Sequence, residues 1–392
     1  VSWPTARIGD VCKVVSGATP KTTNPSYWDG DVPWVTPKDL SELNSKVLLD
    51  TPRKITKAGL NSCSARMLPA ESVLFSSRAP IGLVAINAFP VCTNQGFKSM
   101  VPRGDRIFSG YLFWWLTVHR DHLQNLGRGA TFKEVSKQIV EEIEIPLPPL
   151  AEQKRIAAIL DAADALRAKR RESLAELDTL LQSTFLDLFG DPVTNPMGWS
   201  LQNGADVCSR ITVGIVVKPA SYYVKTGVPA LRSLNVRPNN IEMNDLVFVS
   251  SADNAGRLAK TRVWSGDILL VRSGQPGTAA IVPEKLDGVN AIDILIATPD
   301  RSVINPAYLC HYFNSPGGKR MALGAQRGQI QKHLNVGALK VAPIPLPPLD
   351  LQHHFATIVE SIERQKTRLR AHLAELDTLF ASLQSRACNG QL

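Results

Sequence analysis

A stretch of this chain is written twice. Residues 145–150 read IPLPPL, and residues 344–349 read IPLPPL again, 199 positions later. At the same offset residues 175–180 (AELDTL) return as residues 374–379. Gln153, Ile159 and Ser183 match Gln352, Ile358 and Ser382, and Arg128-Gly129 matches Arg327-Gly328. Elsewhere the copies have diverged, at an offset near 196. Trp3 pairs with Trp199, Asp10-Val11-Cys12 with Asp206-Val207-Cys208, Val32-Pro33 with Val228-Pro229, residues 74–80 (LFSSRAP) with residues 270–276 (LVRSGQP), and Asn94 with Asn290. Tyr111-Leu112 answers to Tyr308-Leu309. So long a period is not that of a solenoid. One unit has been duplicated, and two like units in one chain imply a pseudo-twofold arrangement.

Each copy has a variable part, a proline-rich hinge and a closely repeated tail. In the variable part short apolar runs flank turn signals: 72–75 and 83–86 around Arg78-Ala79-Pro80, and 268–271 and 279–282 around Gly274-Gln275-Pro276-Gly277. Helices are predicted over 109–124 and 306–321. This mixture reads as a small α+β domain with an irregular, mostly antiparallel sheet. In the tail, Ile156, Ile159, Leu160, Ala163, Leu166, Leu174, Leu177, Leu180, Leu181, Phe185 and Leu188 recur three and four residues apart, which predicts one long amphipathic helix over 152–188. Its counterpart spans 351–383. The prolines of the hinge cannot lie inside these helices and set their starts. Each apolar stripe needs a cover, which the other helix can supply as an antiparallel, coiled-coil-like pair. The predicted division is a globular domain over 1–145, hinge and helix over 146–190, a second globular domain over 191–344, and hinge and helix over 345–392.

Forty-four Lys and Arg against 35 Asp and Glu give a net charge of +9. Residues 151–190 hold 6 basic and 7 acidic side chains and residues 350–388 hold 5 of each, so the excess lies in the globular parts. Two basic heads on a neutral spacer suggest contact with a long polyanion, nucleic acid first, at two separated places. No apolar run is long enough to cross a membrane. The first ten residues include Pro4, Arg7 and Asp10 and read as no signal peptide. The six cysteines never come as C-x-x-C and read as the thiols of a reducing cytosol, not as metal ligands.

The pattern resembles the specificity (S) subunit of type I restriction–modification enzymes. The most specific marks are the twice-written hinge, followed by Ala151-Glu152-Gln153 in one copy and Asp350-Leu351-Gln352 in the other. Next come residues 30–36 (GDVPWVT) after Gly17-Ala18-Thr19-Pro20, and then residues 74–82 (LFSSRAPIG) with residues 93–97 (TNQGF). The resemblance covers essentially the whole chain. It implies two target recognition domains, each reading half of a split site in double-stranded DNA, joined by two long antiparallel helices. It further implies no catalysis by this chain and no cofactor of its own. Two modification (methyltransferase) subunits would bind S-adenosylmethionine and methylate adenine, and restriction subunits would bring ATP-driven translocation and cleavage. The place would be the DNA-associated cytoplasm of a bacterium or archaeon.

Arg and Lys read guanine edges, Asn and Gln read adenine edges, and basic side chains grip phosphates. Such residues on turns at matching places give the candidate DNA contacts. In the first copy they are Thr36, Lys38, Arg78, Asn94, Gln95, Lys98, Arg128, Thr131 and Lys133. In the second they are Arg232, Asn235, Arg272, Gln275, Arg327, Gln329, Gln331 and Lys332. The competing reading of any of them is a turn residue that caps a strand and faces solvent.

A stand-alone DNA adenine methyltransferase is the alternative. Asn24-Pro25-Ser26-Tyr27 approaches the base-holding tetrad of that class but has Ser26 for its second proline, and no glycine-rich cofactor loop follows a strand. Glu152-Gln153-Lys154 imitates a nuclease E-x-K, yet the second hinge is followed by Asp350-Leu351-Gln352, with no lysine. His119 and His122 lack a third ligand.

Overall fold

The computed structural model describes residues 3–128, 133–324, 333–388 and 391. The chain divides into two compact units, Val1–Arg171 with His372–Leu392, and Glu172–Ala371. Both cuts fall inside the long helices, α1 (Leu150–Phe189) and α2 (Leu349–Cys388), so each unit holds one lobe and one end of each helix.

In the first unit a five-stranded sheet runs in the order Cys12–Ser16, Lys98–Pro102, Val73–Phe75, Val84–Asn87, Val47–Leu48. All its pairs are antiparallel except the last. A smaller sheet joins Trp28–Val35 to Lys54–Ile55 and, in parallel, to Cys92–Thr93. The second unit repeats the plan. One sheet orders Cys208–Val213, Ile294–Pro299, Ile268–Val271, Ala279–Ile281, and another joins Val228–Leu231 in parallel to Asn290–Ala291. The sheets are thus mostly antiparallel, as predicted.

The predicted lobe helices are each broken in two. Ser109–Val118 gives way to Arg120–Asn125 at His119, whose backbone (φ −90°, ψ 16°) leaves the helical region. Pro306–Asn314 gives way to Pro316–Leu323, because Ser315 is extended and its hydroxyl caps the new helix at Gly318 N–H.

The repeated hinge owes its shape to one buried glutamine per copy. Proline offers no N–H to a ladder, so the carbonyls of a proline run need side-chain donors. In the first unit the fully buried Gln153 donates to the carbonyls of Pro148 (2.8 Å) and Arg106 (3.0 Å) and accepts from the Phe108 N–H (2.8 Å). In the second, Gln352 donates to Pro347 (2.8 Å) and accepts from the Asn305 N–H (2.8 Å). The Tyr111 and Tyr308 hydroxyls donate to the carbonyls of Pro146 (2.8 Å) and Pro345 (2.6 Å).

Within each unit the two helices run antiparallel. In the first, Arg167 meets Asp377, while Ile156 and Leu160 share a small cavity with Gln384 and Ala387. In the second, Asp178 meets Lys366 and the Phe185 ring lies 5.7 Å from that of Phe355. The stripe is less apolar than predicted: Leu166, Leu180 and Leu379 are 56%, 48% and 51% exposed. Ion triads occupy the seam there. Arg167 donates to Asp377 (2.6 Å) and Asp164 (2.8 Å), and Lys366 pairs with Asp178 (2.7 Å) and Glu363. The 199-residue offset turns one triad into the other, residue for residue.

Candidate nucleic-acid interface

The turn of the Val73–Phe75/Val84–Asn87 hairpin carries Arg78. It is held by local polar bonds: the Ser76 hydroxyl donates to the Pro80 carbonyl (2.7 Å) and accepts from the Leu83 N–H (2.8 Å), and buried Ser77 donates to the Gly96 carbonyl (3.1 Å). Gly82 sits at φ +91°, which a side chain would disfavour. Glu134 gathers the cations around this turn. Lys98 Nζ is 3.0 Å from Glu134 Oε1, and Arg78 Nη1 is 3.9 Å from Oε2. The backbones of Glu134 and Arg128 exchange hydrogen bonds (3.0 and 3.1 Å), which sets exposed Arg128 across from Glu134, and exposed Lys133 precedes Glu134 in the chain. Arg78, Ala79, Pro80, Ile81, Gln124, Asn125 and Lys133 line an open cleft of about 810 Å³. Two predicted cations therefore pair with one carboxylate, buried Lys98 closely and Arg78 more loosely, while exposed Arg128 and Lys133 stand on the neighbouring backbone, a net positive group suited to phosphate or a base edge.

Asn94, Gln95, Thr36 and Lys38 form a second group. The Asn94 N–H donates to the Val35 carbonyl (2.9 Å), and its side-chain oxygen accepts from the Gly96 N–H (2.8 Å). Gln95 is exposed and accepts from the Thr19 hydroxyl. Thr36 caps the short helix Pro37–Ser41, its N–H (2.6 Å) and hydroxyl (2.9 Å) both donating to Asp39. Lys38 is exposed and 3.6 Å from Glu42.

In the second lobe Arg272 follows the strand Ile268–Val271. It pairs with Asp293 through Nη1, and its Nη2 lies 2.8 Å from His333 Nε2. Gln275 is exposed on the same turn. Arg232 donates to the Asp245 carbonyl and caps the turn Ser233–Asn235. Asn235 is fully buried: its oxygen accepts from the Arg232 N–H (2.9 Å), and its amide donates to Glu242 (3.0 Å) and Asn244 (2.7 Å). With every polar atom turned inward it shapes this turn from inside. Thr131, Arg327, Gln329, Gln331 and Lys332 lie outside the described residues.

The hairpins also correct the alignment of the copies. Leu74 pairs with Ala85 and Leu269 with Ala280, and Gly82 and Gly277 both have positive φ, so the offset here is 195. Arg272 thus answers to Ser77, and Arg78 to Ser273. Asn290 answers to Cys92, because both lie on the strand parallel to the lobe's long strand. It is buried and donates to Asn254 (2.8 Å) and to the Leu258 carbonyl (3.1 Å). Sequence reading missed Glu134, Asp293 and His333 because it sought cations and amides. Glu134 and His333 stand 199 residues apart, and that was the available signal.

Other motifs resolve into local structure. Asn24 caps the turn Pro25–Tyr27, accepting from the Ser26 N–H (3.1 Å) and hydroxyl (2.8 Å). Glu152 binds Arg155 three residues on, which holds its carboxyl below the usual range. The His119 ring stacks on Trp115 at 4.2 Å. Burial pushes the Cys12 and Cys208 thiols up to about 12 and Cys92 to about 11, so these thiols stay protonated near neutral pH. Among the described residues no three His, Cys, Asp or Glu side chains could hold a metal, and no helix is long and apolar enough to cross a membrane.

This architecture, a duplicated lobe with cationic turns and a paired-helix tail, has counterparts among known proteins. Residues 1–177 match the family model of the type I restriction modification DNA specificity domain. The MjaIX specificity subunit of Methanocaldococcus jannaschii is 27% identical over 415 residues, covering 100% of this chain and 93% of its own length. The EcoKI specificity subunit of Escherichia coli K12 is 22% identical and covers 100% and 89%. The fold is likewise shared with the type I S subunit from M. genitalium (TM-score 0.59, 12% identity, 99% of this chain and 96% of that one). A chain solved in work on complex assembly and conformational transition of the type I R-M system gives 0.61 at 19% identity, with 100% and 98% covered. The first 177 residues thus match the type I specificity domain, and along its whole length the chain is similar to specificity subunits of type I restriction–modification systems rather than to a stand-alone methyltransferase.

Proposed function

We propose that this chain reads DNA for a type I restriction–modification enzyme and performs no chemistry itself. The observation that carries this is the duplication seen in three dimensions. Two lobes of one topology present the same turn, each with an arginine in an ionic cluster, and each is tied by a buried glutamine to a long helix. Two readers on one chain suit a DNA site split into two unlike halves. Within the lobes, 1–145 and 191–344, the contacts are assigned to Arg78 and Lys98, which pair with Glu134, to Arg128 and Lys133 on the backbone beside it, to Gln95 and Lys38, and to Arg272 and Gln275. Thr131, Arg327, Gln329, Gln331 and Lys332 are assigned with them on sequence alone. The helices carry the spacing between half-sites. They also offer two copies of one surface, AELDTL among it, which fits two modification subunits per chain, with restriction subunits joining that core. S-adenosylmethionine, ATP and metal chemistry belong to those partners.

The test is selection of bound duplexes from a random pool by the full chain purified with its modification partner. The expected result is two fixed blocks of bases separated by an unread gap, and two modification subunits in the complex. A single uninterrupted block, or no enrichment, would overturn the reading.

A further inference from the structure

Resting on the reading of this chain as a DNA reader, we propose that Arg272 is the guanine-reading side chain of the second lobe. Asp293 and His333 are the positioning residues that hold its guanidinium for that contact.

Three strands of the lobe converge there. Arg272 leaves the hairpin strand and its carbonyl accepts from the Leu334 N–H (3.0 Å), which fixes His333 beside it. Asp293 lies between the strands Asn290–Ala291 and Ile294–Pro299, and its N–H donates to the Ile215 carbonyl (3.1 Å). Arginine has only donors, so His333 Nε2 accepts from Nη2. The proton of the neutral ring is then on Nδ1, 2.8 Å from the Ser273 hydroxyl, which receives it. These two bonds use two of the five guanidinium N–H groups. Of the other three, Nε–H is buried, which leaves one N–H on each of Nη1 and Nη2, enough for a two-pronged contact with O6 and N7 of guanine.

The surroundings agree. The Asp293 side chain is 53% exposed and that of Arg272 is 17% exposed, so the pair lies at the edge of the lobe, with the arginine partly covered by its partners. Just past Ile215, Val216 and Val217 are 49% and 73% exposed and are followed by Lys218. An exposed apolar pair between two cations matches what a major groove offers: a thymine methyl beside a guanine edge and a phosphate. The first lobe has Ser77 where the second has Arg272, and Gln95 with Thr19 near the place of Asp293. The two lobes therefore carry different reading groups on one framework.

The experiment is duplex selection by the full chain in its complex, repeated for variants, with the first lobe's half-site as internal control. Wild type is expected to require guanine at one position of one half-site. Arg272→Ala should lower that preference about 10- to 100-fold and leave the other half-site unchanged. Arg272→Lys should fail to restore it, because a point charge lacks the planar fork. Asp293→Asn and His333→Gln should keep overall affinity within a few-fold and weaken preference at that same base pair. Retention of every preference by Arg272→Ala, or equal loss at both half-sites, would overturn the assignment. A wild-type complex without sequence preference would overturn the underlying reading and the assignment with it.

Discussion

Gln153 and Gln352 stand at the same place in the two copies and share a bond to a hinge proline carbonyl and one from a loop N–H, whereas Arg78 and Arg272 serve similar turns from different positions. The contrast separates framework from reading surface. A buried amide bonded to backbone on several sides has no freedom to change, since each orphaned group would cost about 1–3 kcal/mol. A turn at the surface bears no such constraint. Its ionic partner is Glu134 in one lobe, and Asp293 with His333 in the other. A chain that must recognise two unlike half-sites can rewrite its tips while the hinge stays copied.

Several substitutions break or sharpen this comparison. The largest effect is expected where helix meets lobe. Phe355 is fully buried among Phe185, Phe189 and His311, while the place 199 residues earlier holds the smaller Ile156. Phe355→Ala should destabilise its unit by about 3–5 kcal/mol and Ile156→Ala by about 2–4 kcal/mol, read by calorimetry. Equal, small losses would show that these helix ends are not core.

Next comes pH. His311 occupies the place of Trp114, and burial, with Lys366 adding to it, lowers the imidazole pKa to about 4. The unfolded chain protonates near 6.5, so the second unit should lose stability as pH falls from about 6.5 to about 4, by roughly 3 kcal/mol at most. Above that window the group contributes nothing to the pH dependence. His311→Phe should flatten this part of the profile, and an unchanged acid profile would contradict the assignment.

Gln153→Leu and Gln352→Leu should each cost about 2 kcal/mol, alike in the two units, by orphaning hinge and loop backbone groups. A loss in one unit alone would mean that the clamp is not a shared framework. The smallest effect is expected at Glu134→Gln. Releasing Lys98 and Arg78 should raise affinity for DNA by a few-fold at low salt and steepen its salt dependence, measured by titration.

Much of this architecture was legible in the sequence because duplication is a comparison that the chain makes with itself. The proline hinge, both long helices and the hairpin strands follow from periodicity and breakers. The helices run further than the apolar stripe, to Phe189 and Cys388, since polar residues extend a helix that packing has already started. The reading surface was less legible. Asn235 and Asn290 look like base readers by type, yet both spend their amides inside the lobe, where only the three-dimensional fold places the carbonyls that receive them. One-residue shifts between the copies likewise hid the hairpin register, because apolar strand residues align almost equally well at neighbouring offsets.

The claim on which all of this turns is that helix length sets the distance between two reading lobes. Deleting residues 168–171 and 367–370 together removes one turn from each helix while keeping Arg167, Asp377, Lys366 and Asp178. Each helix shortens by about 6 Å, close to two base pairs. Duplex selection with this variant should return the same two blocks of bases with the unread gap changed by one or two base pairs. The same blocks at the original gap would contradict the account.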